Sequence, residues 1–358
     1  MARSRIIVIL GPTAGGKSEL AVALAERFAG EVVNADSMQV YRELDAGTAK
    51  PTAEQRQRAP HHLVDVAEPD EPWTLADWLA EAERAIDDIH SRRKLPIVVG
   101  GTNLYIKALL EGMFAGPPQD PAFRRAVADT PAPDLHRRLA EVDPDAAKRI
   151  HRNDHKRIVR ALEVYQQTGK PISAQQQQWG RREPHTKPPP AAASESRPIV
   201  PDPDPDPDPD PGPDPGPRYR HDPIMIGLDW SREAINRRVN ARVKQMFDPA
   251  AAGRPQAEDL VAETRRLNDL GRLGPQAREA LGTRQALDHL AGRLTRAQAF
   301  ERTKIETRRF ARKQRTWLKR FVGAHWLDAD EQPFESLVDR AAEIVAHELQ
   351  TPPDHSRL

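Results

Sequence analysis

The sequence predicts an α/β fold: a doubly wound parallel sheet with an inserted helical domain. Three observations predict it. Short, fully apolar runs recur with helical patterns between them, as buried parallel strands and crossover helices do. A glycine-rich loop follows the first run and opens a helix. From about Asp120 to Trp179 the pattern is helical and charged without a strand candidate, and an apolar run returns only at Pro223.

The elements follow in chain order. Residues 5–10 carry consecutive Ile, Val and Leu without alternation, which predicts a strand buried on both faces. Gly11-Pro12-Thr13-Ala14-Gly15-Gly16-Lys17-Ser18 fits G-x-x-x-x-G-K-[ST], and a helical pattern runs from Glu19 to Phe28. This strand–loop–helix context is P-loop NTPase-like. A second strand is expected at Glu31–Asn34, ending at Asp36-Ser37. A helix from Leu75 to His90 precedes a third strand, Pro96–Val99, which closes on Gly100-Gly101-Thr102. The strand pattern resumes at Pro223–Leu228, and the remainder to about His347 reads as helical. Parallel sheets of this kind bind ligands at the carboxyl ends of their strands. The loop, Asp36 and Thr102 all fall at such ends, so one crevice is expected to hold them.

The domain reading is a core from residues 1–118 and 219–330, a helical insertion over 119–180, a linker over 181–218 and a tail over 348–358. The linker contains five consecutive Pro-Asp pairs from Pro201 to Asp210. Such a segment buries almost nothing and favours extended geometry.

Composition bounds the rest. The 54 basic and 53 acidic residues leave a net charge of +1, so bulk charge argues for no partner. The absence of cysteine excludes disulfides, thiolate metal sites and a cysteine nucleophile. The first apolar run is too short for a secretion signal or a bilayer span. A soluble, cytoplasmic monomer without membrane contact is expected.

Several residues point to chemistry. Backbone N–H groups of the loop and the following helix N-terminus form an anion cradle, to which Lys17 adds a point charge. The ligand carries a di- or triphosphate. Asp36 suits a general base or a metal held through water, but equally the cap of the turn Asp36-Ser37-Met38-Gln39. Two tracts are basic. Ala147–Arg160 has six Lys/Arg and two His against one acid, and Glu301–Phe321 has nine Lys/Arg against two Glu. Each is either a solvated helix face or a surface for a phosphate backbone. Phe310, Trp317 and Phe321 recur at seven and four residues, which predicts that they pack on the core. Arg242 by itself reads as a surface arginine on a helix. The combination suggests an enzyme that uses a phosphorylated small molecule and acts on a nucleic acid. A small-molecule kinase or a non-catalytic RNA adaptor would share the loop. The kinase would leave the basic tracts without a role.

Further blocks narrow the choice: Asn34-Ala35-Asp36-Ser37-Met38-Gln39-Val40-Tyr41, Gly47-Thr48-Ala49-Lys50-Pro51, Pro60-His61-His62-Leu63 and Val99-Gly100-Gly101-Thr102-Asn103-Leu104-Tyr105. They continue with Asp143-Pro144, Ala161-Leu162-Glu163-Val164-Tyr165, Thr168-Gly169-Lys170 and Thr307-Arg308 through Lys313-Gln314-Arg315-Thr316-Trp317. With these blocks the chain resembles the bacterial tRNA dimethylallyltransferase (tRNA isopentenyltransferase) family over roughly residues 5–180 and 220–328. The resemblance implies transfer of a dimethylallyl group from dimethylallyl diphosphate to N6 of adenine 37 in tRNA, with Mg²⁺ assisting. It implies that the ATP-type loop Gly11, Pro12, Thr13, Ala14, Gly15, Gly16, Lys17, Ser18 holds a prenyl diphosphate. Asp36 would accept the amine proton. Lys17, Ser18 and Arg242 would neutralise the leaving diphosphate, with Thr13 near its bridging oxygen and Ser18 on the metal, joined by Asp36 through water. Asp36, Ser37, Met38, Gln39, Thr102, Arg124, Lys156, Arg157, Ile158, Val159, Arg160 and Arg284 would meet the anticodon loop of the tRNA. Three features depart from the family pattern. The insert near residues 181–217 is long. Glu279-Ala280-Leu281-Gly282-Thr283-Arg284 stands where many members have an upstream Arg and Gly-Tyr-Arg. The loop ends in Ser18 rather than the common Thr.

Overall fold

The computed structural model describes residues 4–114, 116–176, 219–250, 253, 254, 256–330 and 332–351. The linker expected over 181–218 and the last seven residues of the expected tail lie outside them. The chain divides into two units, Met1–Leu110 with Pro211–Leu358, and Glu111–Asp210.

The first unit is built on a six-stranded sheet whose pairings are all parallel. In chain order its strands are β1 (Arg5–Leu10), β2 (Glu31–Asn34), β3 (His61–His62), β4 (Pro96–Val99), β5 (Asp222–Asp229) and β6 (His325–Asp328). Their spatial order is β3-β2-β4-β1-β5-β6. β1 lies at the centre, in register with Ile97–Val99 on one side and Asp222–Gly227 on the other. Its side chains alternate between two cores. Ile6, Val8 and Leu10 enter one with Trp78, Ile86 and Leu109; Ile7 and Ile9 enter the other with Leu20, Leu24 and Val345. That is why β1 has no polar face: both sides of the sheet are covered, as a doubly wound sheet requires.

Two strands were not legible as strands. β3 has two residues. β6 reads His-Trp-Leu-Asp and buries only Leu327 thoroughly, so it lacks an apolar run. β6 therefore corrects the expectation of an all-helical chain after β5. The helix Phe334–Gln350 also belongs to the core, with Leu337, Val338, Ala341 and Val345 against the sheet, so the unit continues past residue 330.

Elsewhere the local signals are ordinary. The helix Leu75–Ser91 starts at a reciprocal cap between Thr74 and Asp77, and the helix Arg232–Phe247 starts at Ser231, whose Oγ accepts from Ala234 N. Trp78 Nε1 donates to Asn34 O at 2.8 Å, and its ring stacks on Tyr105 at 4.5 Å, which anchors the end of β2.

The second unit is helical in its described residues. Leu135, Leu139, Ile158, Val164 and Ile172 fill its core. Asp143 caps the helix Pro144–Arg149 through Ala146 N and accepts from Ser173 Oγ. Glu163 is fully buried and is held by Arg124, Arg160 and the N–H of Asp120. These partners draw its pKa well below the ordinary carboxylate range against the opposing effect of burial.

Candidate active site

All four residues expected to be catalytic lie in the first unit. The phosphate loop turns sharply at the end of β1. Gly16 has φ 88 and Ala14 φ 62, both left-handed, so a glycine is suited to the first and the second is strained. Lys17 is 8% exposed, and its Nζ donates to Pro12 O at 2.9 Å. Burial lowers its pKa to about 8; the charge of Arg242 adds to this and the charge of Asp36 opposes it. Arg242 reaches the loop from the helix Arg232–Phe247 and donates through Nη1 to Thr13 Oγ1 at 2.9 Å. Burial lowers its pKa as well, and Asp36 offsets part of that. Asp36 thus lies within electrostatic reach of both cations.

Of the two roles that its sequence position left open, Asp36 fills that of the turn cap. Its Oδ1 accepts from Met38 N at 2.9 Å and caps the turn. Its Oδ2 lies against Gly101, where a Cβ would approach to 2.8 Å, and accepts no hydrogen bond among the described residues. The cap fixes the carboxylate and leaves one oxygen available for a proton. The next strand end is packed on this turn. Thr102 N donates to Ala35 O, Ser37 N donates to Thr102 Oγ1 at 2.9 Å, and Thr102 Oγ1 donates to Ser37 Oγ. Gly100 permits this approach, since a Cβ there would lie 2.1 Å from the Ala35 carbonyl. Gln39 Nε2 donates to Thr48 O and Ala49 O.

Three contributors were missed by sequence reasoning. Trp230 Nε1 donates to Gly15 O at 3.0 Å, and Arg238 Nε donates to Ala14 O at 2.7 Å with its guanidinium 4.5 Å from the Trp230 ring centre. Gln314, 4% exposed, takes the Thr13 N–H at 2.8 Å. Arg238 could have been suspected, because it stands one helical turn before Arg242 and so faces the same way, and Gln314 lies within the block Lys313-Gln314-Arg315-Thr316-Trp317, which gave it no role.

The residues expected to meet tRNA are placed unevenly. Ser37, Met38, Gln39 and Thr102 surround Asp36. Arg284 is exposed, with Glu279 Oε2 at 3.7 Å, while Thr283 is buried. In the helical unit Lys156 and Arg157 are exposed, but Ile158 and Val159 turn into the core and can offer only backbone. Arg124 and Arg160 are tied to Glu163. The late basic tract forms the outer face of the helix Arg296–Leu318, whose buried stripe is Thr303, Thr307, Ala311, Gln314 and Leu318. The aromatic expectation is corrected in part. Phe321 is in the core, but Phe310 is 37% exposed, and Trp317 is half-buried with Lys107 and Arg320 over its ring. The small residues of the stripe pack closer than aromatics could, which displaces Phe310 and Trp317 to its margin.

The phosphate loop at the end of β1, with the Asp36 carboxylate near it, defines a P-loop α/β protein. Comparisons with known proteins make the class specific. The IPP transferase family model matches residues 39–321, and the isopentenyl transferase model matches residues 4–65. A tRNA dimethylallyltransferase 2 of Geotalea uraniireducens (strain Rf4) is 40% identical over 347 residues, covering 96% of this chain and 97% of the relative. The tRNA dimethylallyltransferase of Geobacillus kaustophilus (strain HTA426) is 37% identical over 352 residues, 97% of this chain and 98% of the relative. Among solved structures, the full-length tRNA isopentenylpyrophosphate transferase of Bacillus halodurans superposes with a TM-score of 0.65 at 31% identity, covering 97% of each chain. A eukaryotic dimethylallyltransferase captured acting on tRNA gives a TM-score of 0.73 at 25% identity, covering 99% of this chain and 82% of that one. The chain belongs to the tRNA dimethylallyltransferase family and is a prenyl transferase. No described helix is long and apolar enough to cross a membrane.

Proposed function

We propose that the site transfers the dimethylallyl group of dimethylallyl diphosphate to N6 of adenine 37 in the anticodon loop of tRNA, giving N6-dimethylallyladenosine and diphosphate. The bond from the prenyl C1 to the bridging oxygen breaks, and its electron pair leaves with the diphosphate. A bond from C1 to N6 forms, and the amine proton passes to Asp36 Oδ2. Lys17 and Arg242 face the charge that grows on the leaving group, and preorganised cations there lower the barrier. Thr13, whose hydroxyl accepts from Arg242, would lie near the bridging oxygen. The observation that carries this reading is geometric: Arg242 bonds the Thr13 hydroxyl, and Gln314 ties Thr13 N to Gly101 O, against which Asp36 Oδ2 lies, so the phosphate loop and the carboxylate adjoin.

The adenine has to leave the anticodon stack to reach Asp36, which costs least in a single-stranded loop. Ser37, Met38, Gln39 and Thr102 are the contacts beside it, and Arg284, Lys156 and Arg157 are exposed cations for the tRNA backbone. Arg124 and Arg160 act on the tRNA chiefly by ordering the helix that carries Lys156 and Arg157.

A magnesium ion fits the donors present. Ser18 stands partly exposed in the first turn of the helix Lys17–Arg27, beside Lys17 of the phosphate loop, and its hydroxyl is an oxygen donor of the kind this ion takes. The Ser18 hydroxyl would hold it, with Asp36 through water. When bound, the ion adds positive charge at the diphosphate. We place the enzyme in the cytoplasm, acting as a monomer.

The test is nucleoside mass analysis of unmodified tRNA incubated with the protein and dimethylallyl diphosphate. N6-dimethylallyladenosine is expected at position 37. Phosphoryl transfer from labelled ATP without prenyl transfer would overturn the proposal.

A further inference from the structure

Two loops make up the proposed site. The phosphate loop carries the leaving-group side, and the segment Gly100–Thr102, packed on Asp36 and Ser37, carries the acceptor side. They follow different strands, β1 and β4. One side chain joins them. Gln314 Oε1 accepts from Thr13 N at 2.8 Å, and Gln314 Nε2 donates to Gly101 O at 2.8 Å. Its Nε2 also lies 3.4 Å from where a Gly101 Cβ would be, a position that Asp36 Oδ2 approaches to 2.8 Å. Both halves of the amide are engaged, and the residue is 4% exposed.

Helix geometry makes this placement stiff. Gln314 sits on the buried stripe of Arg296–Leu318, near the end of a helix of 23 residues. Thr303 and Thr307 on the same stripe donate back to the carbonyls of Ala299 and Thr303, so their hydroxyls are satisfied within the helix and leave close packing undisturbed. A planar amide with donor and acceptor in fixed relation holds two backbone groups at one separation. Those two groups are a neighbour of each reactive centre: Thr13, whose hydroxyl takes Arg242, and Gly101, whose Cα lies against the proton acceptor.

We propose that Gln314 is a positioning residue that sets the distance between the diphosphate and the amine that attacks it. It touches neither substrate in this scheme. The proposal rests on the prenyl-transfer reading above, because only a reaction between two partners held by these two loops depends on their spacing. Binding of either partner alone depends on one loop, so the spacing affects the chemical step rather than either affinity. The outer face of the same helix carries Arg309, Arg312 and Lys313, so the residue that spaces the loops is built into a cationic surface.

The test uses the full-length protein and tRNA lacking the modification. Gln314→Leu keeps the volume and loses both hydrogen bonds; Gln314→Asn keeps the amide on a stem one methylene shorter and cannot span both loops. Single-turnover transfer is expected to slow about 10- to 100-fold in each, the scale of a misplacement near 1 Å. KM for dimethylallyl diphosphate and Kd for tRNA are expected to stay within about threefold of the unaltered protein. A transfer rate within about threefold of the unaltered protein, or a loss confined to KM, would overturn the assignment. If the leucine variant does not fold, the asparagine variant decides alone by the same two readouts. The unaltered protein is assayed in parallel: its failure to prenylate tRNA would remove the reaction itself, whereas activity equal to that of the variants removes only the role of Gln314.

Discussion

Arg242 Nη1 donates to the Thr13 hydroxyl at 2.9 Å, while the buried Nε of the same guanidinium has no hydrogen-bond partner. A buried donor left unpaired costs stability unless something satisfies it. In the proposed reaction the leaving diphosphate meets this guanidinium, whose fork can span two oxygens.

Arg242→Lys retains the charge and loses the fork. It is expected to lower kcat by about 10²-fold or more, in the range seen when one preorganised charge-stabilising donor is removed. Thr13→Ala should produce a smaller loss, because the arginine remains. Steady-state kinetics with dimethylallyl diphosphate check both, and unchanged kcat in Arg242→Lys would remove the residue from the chemistry.

Asp36→Asn keeps an oxygen to cap Met38 N and removes the proton acceptor. Turnover is expected to fall about 10²- to 10⁴-fold, the usual contribution of a general base. Filter binding should show tRNA affinity largely retained. Full turnover in this variant would refute the assignment.

Lys17 gives a pH prediction. Burial holds its pKa at about 8, below the ordinary lysine value. The protonated amine is the form that attracts a diphosphate, so raising the pH through about 8 neutralises it. An alkaline fall in kcat/KM for dimethylallyl diphosphate is expected near that pH, since this parameter reports the free enzyme. The Kd for tRNA should show no such inflection.

Gly100→Ala tests the contact between the ends of β2 and β4. The added methyl would lie 2.1 Å from the Ala35 carbonyl, so the two strand ends must part. Overpacking of this kind costs about 1–3 kcal/mol, and the midpoint of urea unfolding should fall accordingly. An unchanged midpoint would mean that the strand ends can separate freely.

Glu263 is buried and accepts from the N–H groups of Asp45 and Ala46 at 2.8 and 2.7 Å. Burial raises its pKa to about 7; those two hydrogen bonds oppose the rise. The folded state therefore binds a proton that the unfolded chain releases at lower pH. Its contribution to stability is complete below the unfolded value and is lost as pH rises through about 7. Thermal melts of Glu263→Gln should lose this part of the decline between pH 5 and 7. An identical pH profile in the variant would contradict the shifted titration.

The central strands, the phosphate loop and the two strand ends that carry Asp36 and Thr102 were legible in the residues alone. Ile6–Leu10, Val32–Val33 and Pro96–Val99 are buried on both faces, and such runs announce themselves without any partner. The loop is a contiguous motif whose backbone geometry depends on its own glycines. Its resemblance blocks also fixed the family, and with it the four residues of the proposed chemistry. β6 and Trp230 could not be seen this way: β6 is short and half-exposed, and Trp230 acts through one hydrogen bond to a residue far away in sequence. Gln314 is the clearest case. Nothing in a basic helical tract marks one glutamine as the link between Thr13 and Gly101, because its role exists only where three distant segments meet. Phe310 and Trp317 show the same limit in reverse. Their spacing suits a core stripe, but the face that packs closest is decided by the neighbouring sheet and helices, and these take the small side chains of Thr303, Thr307 and Ala311.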